Sequence, residues 1–184
     1  MLMRLKQPRI EPLPEEQWSA EAVELLPKAK MHGRTLNIFK TMAHHPRLLK
    51  RWMVFGNHVL FRSTLPPRDR ELVILRSGWL CQAEYEWGQH VIIGKQAGLT
   101  EEEIERIKLE PENAGWNEFD AALIRATDEL HEDACIAEAT WQLLTTRYNT
   151  QQMIDLIFAV GQYNLVSMAL NSLGVQLDEG IPGF

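Results

Sequence analysis

The sequence has little cysteine, which limits the redox chemistry it can support. Only Cys81 and Cys135 occur, and they form no C-x-x-C pair. Such sparse usage is typical of reduced thiols in the cytosol rather than of a disulfide framework. We therefore expect a cytoplasmic protein without structural disulfides.

A concentrated basic region is also missing. The formal net charge is −6, and the Lys and Arg residues are scattered along the chain. Nucleic-acid binding needs a basic face, so no nucleic-acid partner is expected. The first residues, MLMRLKQPRI, carry charge with no apolar run behind them. Neither a secretory signal nor a membrane-spanning segment is predicted.

Loops for phosphate and clusters for metals are lacking too. Gly94 and Gly98 lie one turn apart on a predicted helix, not in a strand-to-helix turn. The segment ELHED, residues 129–133, lacks the repeated Glu-x-x-His spacing of a di-iron bundle. We expect no metal site.

Length and composition predict one globular domain with an appended arm. The chain has 184 residues, of which 45% are hydrophobic and 24% charged, enough for one core and few for two. Residues 1–18 include the proline-rich segment QPRIEPLPEEQ and are expected to form an extended arm. Residues 19–184 are expected to form the domain.

Helical periodicity dominates that domain and predicts an all-α fold. Boundary signals include Ser19 as an N-cap, prolines at helix starts, Gly98 at a helix end, and a capping box of Thr100 with Glu103. Residues 46–61 form a helix whose broad apolar face should be well buried. The last helix, QQMIDLIFAVGQYNLVSMALNSLG, is apolar around most of its circumference and should lie inside the domain or at a subunit contact.

The segment AEYEWGQH places a carboxylate and an imidazole one helical turn apart. Glu86 and His90 share a helix face, and an antiparallel hairpin would bring Glu71 beside them. A carboxylate bonded to one ring nitrogen leaves the other free to give or take a proton. Such pairs also occur on solvated faces, but the flanking Tyr85 and Trp87 indicate an enclosed one, with Trp87 more typical of a core.

Other histidines are weaker candidates for chemistry. His44 and His45 precede a proline at a helix boundary, where capping and surface roles are common. His58 lies on an apolar face and is expected to be a core histidine with satisfied hydrogen bonds.

The stretch RELVILRSGWLCQAEYEWGQHVIIGKQAGLTEEEIERI resembles the core repeat of the carboxymuconolactone decarboxylase family, whose other branch is the alkylhydroperoxidase D type. The likeness spans about residues 65–107, and NIFKTMAHHPRLLKRW and VGQYNLVSMALNSLGV are similar to longer members. This resemblance implies an all-helical, alkylhydroperoxidase D-like fold. It also implies homo-oligomers, commonly trimers or hexamers.

The peroxidase branch carries C-x-x-C-x-x-x-H preceded by a Glu. Glu71 and His90 match this pattern, while the cysteine positions fall on Ala83 and Glu86. The redox pair is therefore missing. This counts against thiol peroxidation, because that reaction needs a thiolate. Cys81 stands two residues earlier and could replace it only if the chain there is not helical. Members of the decarboxylase branch have a Glu one turn before the His, as this sequence does with Glu86 and His90.

The resemblance and the Glu–His pair together predict a cofactor-free decarboxylase, related lyase or isomerase acting on a small carboxylated cyclic compound. His90 would donate the proton, Glu86 would orient it or act as the partner base, and Glu71 would support both. Tyr85 would bond to a substrate oxygen. No cofactor is expected, because a conjugated lactone carbonyl can accept the electrons that departing CO2 leaves.

Two residues are predicted to contact the substrate, and two further functions stay open. Arg76 would supply positive charge and Trp87 apolar surface, although two acids make the site a poor host for a dicarboxylate.

One alternative function is that of a hydroperoxide reductase that uses Cys81. The other is a non-catalytic oligomeric binding protein, suggested by the apolar last helix.

Overall fold

The protein is built of α-helices joined by short connections. The computed structural model describes residues 5–30 and 33–184, and no strand occurs among them. The α-helices are α1 (Ala20–Leu25), α2 (Asn37–Met42), α3 (Pro46–Phe61), α4 (Pro67–Leu80), α5 (Glu84–Gln96), α6 (Glu101–Arg106), α7 (Glu118–Glu132), α8 (Glu138–Thr145) and α9 (Thr150–Leu173). Short 3-10 helices span Glu15–Gln17, Leu26–Ala29 and Pro111–Asn113. The predicted all-α fold is confirmed.

Capping side chains set several helix starts, as the sequence predicts. Ser19 accepts a hydrogen bond from the backbone N–H of Ala22 at the start of α1. Thr100 and Glu103 form the reciprocal capping box of α6. Gly98 follows α5 with φ +101°, a left-handed conformation that glycine adopts at low cost. Helix α1 ends at Leu25, and the chain continues as the 3-10 helix Leu26–Ala29, which contains Pro27.

Helix α4 is the centre of the fold. It contacts α5, α7 and α9, and every residue from 69 to 78 is buried. Its uninterrupted apolar run therefore packs on all sides, as expected of a helix enclosed by its neighbours. Fully buried side chains from four helices form the core around it: Leu72, Leu75, Leu123, Ile124, Leu144 and Leu156.

The N-terminal segment packs along the domain without forming an α-helix over residues 5–18. The backbone N–H of Arg9 donates to the carbonyl of Leu173 at 2.8 Å, and that of Leu13 donates to the carbonyl of Lys40 at 3.1 Å. The first four residues of the predicted arm lie outside the described part of the chain. The division into an arm and one domain stays a prediction.

Helix α3 is less buried than its sequence suggests. Leu49 and Val59 are its buried apolar residues, whereas Val54 and Phe61 are 72% and 70% exposed. The predicted core position of His58 is wrong, because its side chain is exposed and its Nε2 lies 3.6 Å from Asp155 Oδ1 at the surface. The neighbouring segments therefore cover only part of the apolar face of α3.

Helix α9 combines a buried face with an exposed apolar face. By length and composition it could cross a membrane, but half of its most apolar window is buried against the rest of the chain. The exposed apolar residues share one side of the helix: Ile154, Phe158, Leu165 and Met168. Within the described chain it packs as a core helix with one exposed apolar side.

The C-terminal tail covers the outer side of α5. The ring of Phe184 lies 5.3 Å from Trp79 and 5.8 Å from Trp87, centroid to centroid. A side chain at Gly88 would collide with the carbonyl of Pro182. Glycine at this position therefore allows the tail to approach the α5 backbone.

We predict that Gly88→Ala destabilises the protein by displacing this tail, because a methyl group has no room there. A loss of about 1–3 kcal/mol is expected for overpacking, measured by urea denaturation. Gly78→Ala is the matched control, because its Cβ would meet other atoms at 3.6 Å or more. Equal stability of the Gly88→Ala variant and the parent protein would show that the tail does not pack as described.

Candidate active site

Helices α4 and α5 bring Glu71, Glu86 and His90 together in one buried cluster. His90 Nδ1 lies 2.6 Å from Glu71 Oε2, and its Nε2 lies 3.1 Å from Glu86 Oε1. The antiparallel hairpin of α4 and α5 accounts for the first contact, and the one-turn spacing on α5 accounts for the second. All three residues are at least 94% buried.

The expectation that one ring nitrogen of His90 stays free is wrong. Both nitrogens face carboxylates, so both act as donors and the ring is held as an imidazolium. Burial by itself would lower the pKa of His90. The charge and hydrogen bond of Glu71, followed by those of Glu86, outweigh burial and raise the pKa of His90 to about 9.

Arg70 completes the charge balance of the cluster. Its Nε donates to Glu71 Oε1 at 3.0 Å, so the two oxygens of Glu71 are held by Arg70 and His90. Two cations and two carboxylates thus alternate in a buried group without net charge. Sequence analysis missed Arg70, because neighbouring residues on a helix do not normally face each other.

A cavity of about 200 Å³ lies beside the cluster, between α2, α3, α5 and α9. Its walls are mostly apolar and aromatic, including Phe39, Trp52 and Met53. Glu86 and His90 line it, and exposed Lys30 and Phe61 stand at its edge. A dry cavity of about 150 Å³ in another protein holds benzene, so this one can hold a single substituted ring.

Tyr163 on α9 adds a polar group that sequence analysis missed. Its ring packs edge-to-face on His90 with centroids 4.8 Å apart, and it lines the cavity. Its hydroxyl makes no hydrogen bond within the described part of the chain, and burial raises its pKa well above the usual value. Tyr163 therefore offers a neutral donor to a ligand. Its polar neighbourhood, GQYN in an apolar helix, was the available sequence signal.

Tyr85 also lines the cavity, but its hydroxyl has other partners. It donates to Asp178 Oδ2 at 2.5 Å and accepts from the backbone N–H of Ile38 at 3.3 Å. Asp178 further accepts from Gln89 and from the backbone of Asn37. Tyr85 thus fixes the wall between α2, α5 and the tail, and the predicted bond to a substrate oxygen would require it to leave Asp178.

Arg76 and Trp87 lie away from the cavity. The Arg76 guanidinium pairs with Asp128 on α7 at 2.6 and 2.8 Å and donates to the carbonyls of Ile107 and Leu109. Trp87 is 2% exposed and packs on Trp79 and Phe184 under the tail. Neither is among the residues that line the cavity, so their predicted substrate contacts are not supported by their placement.

Cys81 belongs to a different part of the fold. The chain around it is not helical, since it caps α4 and Gln82 has φ +49°. Its Sγ nevertheless faces α7 and α9, 3.2 Å from Asn164 Oδ1 and 3.8 Å from His131 Nδ1. It does not line the cavity that contains Glu86 and His90.

The two histidines between α2 and α3 are at the surface. The predicted capping role is confirmed for His45, whose side chain accepts from the backbone N–H of Leu48 at 3.4 Å, and His44 is exposed. Among the described residues, no group of three or more His, Cys, Asp or Glu side chains is arranged to hold a metal ion.

Comparisons with known proteins agree with this architecture. Residues 46–129 match the model of the carboxymuconolactone decarboxylase family. A search of curated proteins gave no match. The fold is similar to that of a peroxidase-related protein from Silicibacter, with a TM-score of 0.81 at 15% identity, covering 96% of each chain.

Two further solved structures share the fold. A peroxidase-related protein from Ralstonia eutropha with an alkylhydroperoxidase AhpD core has a TM-score of 0.80 at 15% identity, covering 92% of each chain. A debrominase in complex with 2,3,4-tribromopyrrole has a TM-score of 0.76 at 14% identity, covering 95% of this chain and 94% of the other. At such low identity these structures demonstrate a common fold and no common activity.

We predict that His90 is protonated at neutral pH and that Glu71→Gln lowers its pKa, because the mutation removes the strongest favourable charge. The ring protons of His90, followed by NMR across a pH titration, should shift near pH 9 in the parent protein. Glu84→Gln is the control, since Glu84 is exposed on the same first turn of α5. A titration near the ordinary value of 6.5 in the parent would contradict the assignment.

The same shift sets a pH dependence of stability. Because the pKa of His90 is raised on folding, its stabilising contribution is complete below about 6.5 and is lost as the pH rises through about 9. The free energy of unfolding should therefore fall over this interval. In Glu71→Gln, urea denaturation at several pH values should show a smaller fall.

Proposed function

We propose that the protein is a cofactor-free acid–base enzyme acting on a small cyclic compound, because residues 46–129 match the model of the carboxymuconolactone decarboxylase family. The observation that carries this proposal is the imidazolium of His90, held between two carboxylates at the wall of a ring-sized cavity. Decarboxylation, a related elimination and isomerisation all fit this arrangement, since each needs one proton moved at carbon.

Glu86 is the residue that passes the proton between His90 and the substrate. Its Oε1 faces Nε2 of His90, and both side chains line the cavity. Glu71 is a positioning residue, because it holds Nδ1 and does not line the cavity. The cluster can then deliver a proton without exposing the imidazolium to solvent.

In a decarboxylation, the bond between the ring carbon and the carboxyl carbon breaks and CO2 leaves. The electron pair moves into the conjugated carbonyl and forms an enolate, whose oxygen Tyr163 can stabilise by donating a hydrogen bond. His90 passes its Nε2 proton to Glu86, the ring carbon takes that proton from Glu86, and solvent later reprotonates His90. In an isomerisation, Glu86 first takes a proton from carbon and returns it elsewhere on the ring.

The cavity offers little positive charge to bind a carboxylated substrate. Apart from His90, Lys30 is the cation among the described lining residues, and it is exposed at the edge of the cavity. A substrate carboxylate would therefore face Lys30, with the ring inside. A dicarboxylate fits less well, because Glu86 would repel its second charge.

The hydroperoxide reductase alternative has less support. Glu86 occupies the position of the second cysteine in the resembling peroxidases, and Cys81 faces α7 and α9 instead of the cavity. The debrominase with a bound tribromopyrrole is a neighbour in fold that takes a small ring. This supports a ring as the ligand class and leaves the reaction to be tested.

We predict that His90→Gln lowers turnover at least about a hundredfold, because proton transfer by a positioned side chain contributes that much. A panel of cyclic ketones, lactones and their monocarboxylates in D2O, followed by NMR for released CO2 and for deuterium on carbon, measures it. Activity that depends on the acid form should fall above pH 9, where His90 loses its proton.

The control is Cys81→Ser, which should turn over these compounds at the parent rate. Undiminished turnover in His90→Gln would end the acid–base proposal. Hydroperoxide consumption that is present in the parent and lost in Cys81→Ser would favour the reductase instead.

We also propose that the chain forms a homo-oligomer through α9. The exposed residues Ile154, Phe158, Leu165 and Met168 are spaced by three, four or seven positions, typical of helices that pair between subunits. Phe158 also contacts Phe55 of α3, with ring centroids 6.0 Å apart, so the apolar surface continues onto α3. A second copy is the occupant that the resembling family implies.

The double variant Phe158→Glu with Leu165→Glu should sediment as a smaller species than the parent, because buried carboxylates would oppose pairing. Sedimentation velocity measures this, and Gln151→Glu is the control for added charge at an exposed position of the same helix. A parent protein that sediments as a monomer would overturn the proposal.

A further inference from the structure

Two buried polar atoms on residues that line the cavity have no partner within the described part of the chain. They are Trp52 Nε1 on α3 and Gln162 Oε1 on α9, and both residues line the cavity. Gln162 is only 4% exposed. Buried polar atoms are nearly always hydrogen-bonded, since leaving one unpaired is costly. This pair is therefore suited to a ligand that supplies the missing bonds.

The two atoms require opposite chemistry from their ligand. The indole N–H of Trp52 only donates, so it needs an acceptor oxygen or nitrogen. The Gln162 carbonyl oxygen only accepts, so it needs an O–H or N–H. A carboxylate would satisfy the first atom and leave the second without a donor. A neutral group that both accepts and donates satisfies both atoms.

The two atoms also differ in role from the acid–base cluster. Glu86 and His90 bond to each other, and Tyr163 packs on His90 and can serve the reacting oxygen. The pair of Trp52 and Gln162 comes from α3 and α9 and remains for a second group on the same ligand. Phe39 supplies an aromatic wall beside it, with its ring centroid 6.1 Å from that of Trp52.

We infer that Trp52 and Gln162 select a ring that bears a neutral donor–acceptor group, such as a phenolic or enolic hydroxyl or a ring amide. The inference rests on the proposed function of the same cavity and narrows its substrate class. A hydroxyl can accept from Trp52 and donate to Gln162, and a ring amide offers a carbonyl and an N–H for the same purpose. Substrates with only apolar substituents are discriminated against, because they leave both protein atoms unpaired.

The test uses three neutral probes of similar size: phenol, which donates and accepts, anisole, which only accepts, and toluene, which does neither. Dissociation constants are measured by calorimetry or ligand-observed NMR. In the parent protein, phenol should bind about tenfold more tightly than toluene, with anisole between them, as expected for one or two neutral hydrogen bonds.

Two variants separate the contributions. Gln162→Leu should reduce the affinity for phenol to that for anisole while leaving toluene unchanged, which also shows that the cavity is intact. Trp52→Phe should remove the advantage of anisole over toluene. Gln142→Leu makes the same change as the first variant at an exposed position on α8 and should keep the parent order of affinities.

Equal affinities for the three probes in the parent would overturn the inference, and so would an undiminished preference for phenol in Gln162→Leu. The result is separable from the proposed function, because His90→Gln should keep the preference for phenol while losing turnover. If His90→Gln keeps turnover and Gln162→Leu loses the preference, the binding inference stands and the acid–base proposal fails.

Discussion

The pairing of buried charges between α4 and α5 is the constraint on which the site depends. Removing Glu71, Glu86, His90 and Arg70 from water is costly, and only close pairing offsets that cost. Each charge faces an opposite one at about 3 Å or less. The register between the two helices is therefore tightly restricted, because a shift of one turn would leave a carboxylate buried and unpaired.

This constraint also determines where the cavity lies. The cluster occupies the α4–α5 contact, so Glu86 and His90 form a polar edge on a space otherwise walled by aromatic side chains of α2, α3 and α9. Asp178 in the tail secures the opposite edge by holding Tyr85, Gln89 and the start of α2. The C-terminal tail thus positions the cavity wall, although no described tail residue lines the cavity itself.

The sequence predicted the helices well, because local signals define their ends. Prolines, the Thr100–Glu103 capping box and Gly98 act within one turn and need no knowledge of packing. The Glu86–His90 pair was found for the same reason. Arg76 and Trp87 were assigned to the substrate because they stand near Glu71 and Glu86 in the chain. On a helix, however, each successive side chain points about 100° further around the axis. Arg76 therefore faces α7, and Trp87 faces the tail.

Residues of the site that come from distant segments carried no local signal. Tyr163 and Gln162 meet α5 only because α9 packs across it, and Trp52 only because α3 closes the opposite side. In the proposals made here, these residues select the ligand, whereas α4 and α5 supply the acid–base groups. In the pattern of the resembling peroxidases, cysteines stand where this chain has Ala83 and Glu86. Under the proposed function, the carboxylate of Glu86 carries protons where the peroxidase pattern has a redox sulfur, and Glu71 and His90 match that pattern. The proposed difference in reaction therefore lies at the two positions of the missing cysteines, beside the charge-paired contact of α4 and α5.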